Sequence, residues 1–533
     1  MAWLLNTIEH TSLSDVLEFA TTWTAKSGAT DVRWSDVDRE FAQTYLSGEY
    51  LDRALVFLAK PRRRLVVPQA LMVLIKIALF SCGRQVRTPE HVRLLPAALF
   101  TVGSGLNGGK QPRRREDLIG EFIANQHFNN STDPATSMAL YDARWHDGRF
   151  SDGQLPLAQT YAEVMGHNLN DLALVVLAIW ARVNLGGSPF FRTDMFSGAI
   201  DPQATEQVLS LLSATPEQLR QQIDEAEIAP STPWNSVPWT FSAFERFPLI
   251  QHDDSWFVVS PKFLLDRLVT WLPVFDVKAA IEAQGSASDA ARFDTRFRTT
   301  TERYVQDIVA RTYELLPGRV YTEVELRAEL GRNHKVADIA IDYGHAWVVA
   351  DVSTRRLMRE AAHGGAGVTL DHEIDALCKK FEQIHSTIRR IREARFQVRP
   401  SRGESEPARF YPVLILTEGY PVNPFVLDRL REVLAAKNIL CGRDTAAPEV
   451  IDLADLEAVE SLATSGGPTL IDVIRSKQNG PLRNMDMTSH IRNALGLSPT
   501  RPERVKQAQD RVFGRVVAAL PPQDASIETP TAD

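Results

Sequence analysis

Two aspartates, Asp338 and Asp351, stand in a stretch with little other charge. Residues 335–355 read KVADIAIDYGHAWVVADVSTR. Its halves, 336–343 and 346–353, are rich in Val, Ile and Ala. Between them, Gly344-His345 suits a two-residue hairpin loop with Gly at its first central position. With that turn Tyr343 faces Ala346, and counting outward one residue at a time on each strand sets Asp338 opposite Asp351. Opposed Cβ atoms sit about 4.5–5.5 Å apart, where like charges repel. A cation between them removes the conflict, and hard divalent ions such as Mg²⁺ take carboxylate oxygens. The plainer alternative is a pair of exposed aspartates on an edge hairpin. The apolar neighbours on both strands favour the metal site.

A third carboxylate joins them by periodicity. A helix expected over 294–315 puts Glu302, at 100° per residue, in the apolar stripe of Val305, Ile308, Val309 and Leu316. An acid on a core-facing stripe must be paired, hydrogen-bonded or bound to metal. An ion pair with an arginine would satisfy it equally well.

The elements that would carry these acids alternate. A strand is expected over 319–326, the hairpin follows, then a long helix over 370–394, a strand over 411–417, a helix over 424–435 and a strand–helix pair over 450–461. That order implies a mixed sheet covered on both faces. Residues 1–230 read as a helical domain, with helices at 12–25, 34–58, 66–80, 116–125, 170–183 and 216–226. Ser14 and Ser35 are candidate N-caps, and Thr215 followed by Pro216 is a stronger one. Residues 231–289 form a small connector of a hairpin, bent at 252–255, and a helix over 261–271. The α/β module spans 290–465, helices fill 466–520, and a disordered tail is expected over 521–533. The fold class is α+β overall.

The totals set limits. The chain has 533 residues, 44% hydrophobic and 24% charged, as in a soluble globular protein. A net charge of -8 argues against a globally basic nucleic-acid binder. Cys82, Cys378 and Cys441 are far apart, which argues against a disulfide framework or a cysteine zinc site and suits a reducing cytoplasm. No signal peptide is evident, and the most apolar run, 65–81, reads as a buried helix, so no membrane is expected. Gly103 to Lys110 resembles a phosphate loop only superficially. It has neither the glycine five residues before Gly109 nor a Ser or Thr after Lys110, and reads as a flexible loop. Basic clusters at Lys60 to Arg64 and at Lys110 with Arg113, Arg114 and Arg115 could touch phosphates or be solvated loop charge.

This order of elements resembles the restriction-endonuclease-like superfamily, the PD-(D/E)xK phosphodiesterases, over roughly a third of the chain. The resemblance implies an α/β module in which Glu302 supplies the acid from a helix, Asp338 the aspartate of the second core strand and Asp351 the first acid of (D/E)-x-K. It implies Mg²⁺ or Mn²⁺ held by Glu302, Asp338 and Asp351, activating water for attack on a phosphodiester, and a nucleic-acid substrate, DNA ahead of RNA. Ser353 departs from the pattern, standing where the lysine should be and supplying no positive charge. Some members carry the lysine on the following helix. Here that helix bears Lys379, which points away from the apolar stripe, and Lys380, which flanks it with Gln383 nearby. Lys380 is the candidate, and the alternative is that both lysines are simply solvated. Arg355, Arg356 and Arg359 after the hairpin are candidates to line a nucleic-acid groove, as are Arg389, Arg390, Arg392 and Arg395.

A metal-dependent nuclease is therefore expected, catalysed by Asp338, Asp351, Ser353 and Lys380. The helical region would serve target recognition, regulation, a protein partner or a homodimer. A bacterial defence role follows only by analogy of fold. The competing expectation is a degenerate nuclease fold that binds nucleic acid or protein without turnover.

Overall fold

Local caps set where the helices begin. Thr215 Oγ1 accepts from Gln218 N and Gln218 Oε1 accepts from Thr215 N, closing a capping box on Pro216–Gln222. Ser12, not Ser14, caps Leu13–Gly28, with its Oγ accepting from Asp15 N at 3.2 Å. Arg33, not Ser35, holds the N-cap position of Trp34–Tyr45. The expected helix over 34–58 is two helices, Trp34–Tyr45 and Gly48–Leu58, broken where Gly48 takes a φ of +53°. Pro68–Ser81 is buried along nearly its whole length, as its apolar composition requires. The computed structural model describes residues 2–519 apart from 29–32, 62, 84–88, 108–118, 121, 126–127, 129–143, 152, 197–200, 224–240, 269–270, 314–319, 332–333, 345, 357–367, 394–408, 418–419, 421–422 and 499. The expected helix over 116–125 is partly, and the 521–533 tail wholly, outside these residues.

The architecture is mixed α+β, with helices predominating and two small mixed sheets. The first sheet has the order β1-β4-β3-β2, from Phe190–Phe191 (β1), Ser213–Ala214 (β2), Leu249–His252 (β3) and Ser255–Val258 (β4). Its β3–β4 hairpin is the one expected around 252–255, turning where Asp253 adopts a φ of +52°. The two-residue strands β1 and β2 interrupt a region expected to be almost entirely helical. Residues Gly103 to Asn107, expected as loop, end the helix Leu95–Asn107. No single helix among the described residues is long and apolar enough to cross a membrane.

The second sheet has the order β5-β6-β7-β8-β9: Val320–Thr322 (β5), Ile339–Asp342 (β6), Ala346–Ser353 (β7), Arg409–Leu416 (β8) and Glu449–Asp452 (β9). β6 runs antiparallel to both of its neighbours, β5 and β7, and β7, β8 and β9 run parallel. Each parallel step needs a crossover, supplied by the helices Val368–Glu393 and Pro424–Ala436. The strand expected over 319–326 stops at Thr322. There the backbone N and Oγ1 of Thr322 both donate to Glu325 Oε2 at 2.7 Å, starting the helix Glu323–Leu330. The capping energy outweighs the β preference of a three-residue run.

The sheet has a core on each face. Trp347, Val349, Leu414 and Leu416 meet Leu377, Phe381 and Ile384 of Val368–Glu393 on one. Ala346, Val348, Ala350 and Val352 meet Tyr304, Val305, Ile308 and Val309 of Ala287–Thr312 on the other. The start of Ala287–Thr312 buries Phe293 and Phe297 in the core of the helical half instead.

A buried ionic network fixes this long helix. Glu457 Oε1 accepts from Arg144 Nη2 at 2.7 Å and from Tyr304 Oη at 2.5 Å, and Glu457 Oε2 accepts from Arg501 Nη1 at 2.5 Å. Glu460 accepts from Arg311 and Arg504. Removing one partner of such a pair strands its counter-charge in the interior. Glu457→Ala is expected to cost about 3–5 kcal/mol in denaturant unfolding, well beyond what an exposed glutamate would cost.

Candidate active site

The hairpin register follows the turn. Gly344 adopts a φ of +84°, Asp342 Oδ1 accepts from Gly344 N at 2.6 Å, and Tyr343 N donates to Ala346 O at 2.9 Å. Pairing then runs from Asp342 opposite Trp347 to Ile339 opposite Ala350. His345 lies outside the described residues. Asp338 stands one position before the first paired residue of β6, shorter than the strand expected over 336–343. It remains on the same face as Asp351, and its Oδ2 accepts from Val352 N at 2.7 Å.

Asp351 is fully buried. Its Oδ1 accepts from Lys380 Nζ at 2.9 Å, and Lys380 Nζ also donates to Val352 O at 3.3 Å. Asp351 Oδ2 is buried and receives no hydrogen bond from a donor group. Burial, and then the adjoining Asp338 carboxyl, push the Asp351 carboxyl well above the usual carboxylate range. Burial alone would lower the Lys380 ammonium, but Asp351, Asp338 and Glu302 together hold it above the ordinary lysine value. The positive charge that Ser353 cannot supply thus comes from the neighbouring helix, while Lys379 is exposed. Ser353 Oγ instead accepts from Arg355 N at 3.2 Å, which makes it a turn-former at the end of β7.

Glu302 approaches from the helix on the opposite face and is half-buried, at the margin of its apolar stripe. Burial, with Asp338 next, pushes its carboxyl up to about 7. Leu316, expected in the same stripe, lies outside the described residues. Glu323, at the first turn of Glu323–Leu330, is a fourth acid that the sequence reading missed. Its carboxyl is raised by burial and by Asp338 while Arg327 and Lys380 oppose the rise. Its signal was the capping pattern Thr322-x-x-Glu325, hidden behind an apparent strand.

The oxygen-rich set suits a hard divalent ion: two aspartates on one face, one with a buried, unpartnered oxygen. Among the described residues, however, no three His, Cys, Asp or Glu side chains stand ready-made to hold a metal. Asp338 and Asp351 are the pair whose chemistry would suit an ion, with Glu302 close enough to act on Asp338 through its charge.

Among the described residues, Arg355, Arg356 and Arg392 of the expected groove arginines are committed within the protein. Arg355 Nε and Nη2 donate to the buried Glu373 at 3.2 and 3.3 Å, and Tyr420 Oη donates to the same carboxylate at 3.3 Å. Arg356 lies 3.9 Å over the Phe275 ring. Arg392 grips Asp444 through Nε at 2.8 Å and Nη2 at 2.6 Å, and Arg389 pairs with Glu393. Arg64 faces Asp38 and the Trp34 ring. Arg113, Arg114, Arg115, Arg359 and Arg395 lie outside the described residues. Buried Glu373 and Asp38 need cations, so the arginines nearest to them were drawn inward.

The raised Glu302 carboxyl carries a sign for stability. A group that holds its proton more tightly when folded stabilises fully below its unfolded value of 4.5, and that contribution is lost as pH rises through about 7. The thermal midpoint of the chelator-treated protein is expected to fall across this window. Glu302→Gln should flatten the decline in a pH series of melting curves; an unchanged slope would assign the proton to another group. Comparison with known protein families and with curated proteins gave no match.

Proposed function

We propose that this chain is a Mg²⁺- or Mn²⁺-dependent nuclease, and that its C-terminal module belongs to the restriction-endonuclease-like superfamily it resembles in sequence. One observation supports the reading above the rest. Lys380 reaches Asp351 at 2.9 Å from the helix after β7, beside an aspartate on the adjoining strand. A half-buried lysine held against a fully buried aspartate, with a second acid beside it, keeps a positive charge that chemistry can use.

In this reading Asp338 and Asp351 hold the ion, and Glu302 adds negative charge beside them. The ion, when bound, supplies an activated water and charge for the phosphodiester oxygens. Lys380 Nζ, kept positive by its acidic neighbours, orients that water and stabilises charge that builds on the phosphate. Ser353 takes no chemical part and shapes the turn that leads to Arg355. DNA is the substrate the resemblance implies. Target recognition or control falls to the helical half, and Phe275 of the connector touches Arg356 in the segment after β7.

The alternative, a degenerate nuclease fold that binds nucleic acid or protein without turnover, draws on the lack of a ready-made three-ligand set among the described residues. One experiment separates them. Plasmid and linear DNA are incubated with the protein and Mg²⁺ or Mn²⁺. The nuclease reading expects cleavage that Asp338→Asn and Asp351→Asn abolish and that Lys380→Ala lowers by about 10²–10³-fold. Salt-sensitive DNA binding with no turnover under either ion would establish the binding module instead.

A further inference from the structure

Asp338 lies just outside the ladder that would normally fix a strand residue, since the pairing of β6 with both β5 and β7 begins at Ile339. The two residues before it are held from elsewhere. Ala337 N donates to Thr387 Oγ1 at 2.7 Å, and Val336 O accepts from Gln383 Nε2 at 2.6 Å. Thr387 is fully buried, and its own hydroxyl proton goes to Gln383 O at 3.0 Å, so the oxygen is left to accept from Ala337. Gln383 and Thr387 follow Lys380 by three and seven residues, on the same helical face.

We infer that Thr387 and Gln383 are positioning residues for Asp338. One helix then sets both neighbours of Asp351: it delivers the Lys380 ammonium directly, and it places the opposing carboxylate by clamping the peptide groups that lead to it. Asp338 in turn holds Val352 N, which closes the arrangement onto β7. Only the chemical purpose of this placement rests on the nuclease reading. The placement itself can be tested without a metal.

The test follows amide hydrogen exchange at Val352 in full-length, metal-free protein. Thr387→Val keeps the shape and removes the acceptor, Thr387→Ser keeps the acceptor, and Gln383→Ala removes the second clamp at a partly exposed position. Val352 is expected to exchange faster in Thr387→Val and Gln383→Ala while the β8 amides Val413 to Leu416 keep their protection, and Thr387→Ser is expected to match the parent. Unchanged Val352 exchange in a folded Thr387→Val or in Gln383→Ala would overturn the inference. Mn²⁺ titration of the same proteins reads the nuclease assignment separately. If the parent binds Mn²⁺, Thr387→Val is expected to bind it about 10–100-fold more weakly. A parent that binds none would refute the metal site and leave the exchange result standing.

Discussion

Two carboxylates facing each other in a dry place cannot both keep their charge unless something positive joins them. Much of the C-terminal module is arranged around that constraint. The hairpin turn sets Asp338 and Asp351 on one face, and the strand neighbours that make the sheet a core also remove the water that would have screened them. Three remedies are open: a shared proton, a metal ion or an ammonium reaching in from the surface. The raised Asp351 carboxyl reflects the first, and Lys380 provides the third. A cluster with more acids than cations, its proton held tightly by burial, is a poor choice for stability alone.

The hairpin was legible because its register is counting. Once Gly344 fixes the turn, every pairing follows, and period-two alternation decides which side chains share a face. Lys380 was legible as a flank of an apolar stripe, since a helix of known face carries its polar margins with it. The helix start at Thr215 was equally plain, because Pro216 and Gln218 complete its signature. What escaped detection was set by competition between local preferences. Val320, Tyr321 and Thr322 favour a strand, but Thr322 and Glu325 together begin a helix, and Glu323 entered the acidic cluster unnoticed. Strands of two residues, like β1 and β2, have too little periodicity to register at all.

The arginines carry a different lesson. A run of basic residues after a strand invites a phosphate, yet charge in sequence says nothing of which charges the fold has already buried. Glu373 and Asp444 were invisible as partners because they lie 18 and 52 residues away along the chain. A buried acid recruits the nearest long cation, and the arginine's apolar stem makes the recruitment cheap. The polar side of the Val368–Glu393 helix was likewise hard to read in advance. Glu373, Gln383 and Thr387 look like ordinary solvated positions until their partners Arg355, Val336 and Ala337 are seen beneath them.

The last helix, Glu503–Ala519, has a bearing on how this protein can be handled. Val512 belongs to the same apolar cluster as Leu172, Val176 and Phe297, while Arg504 of that helix binds Glu460 behind the sheet. This helix therefore seals the helical half and braces the α/β half at once. A truncation meant to liberate either piece would open a greasy seam in one and take one of its two arginines from a buried acid in the other, so point changes in the full chain are the sound material for dissecting what each half contributes.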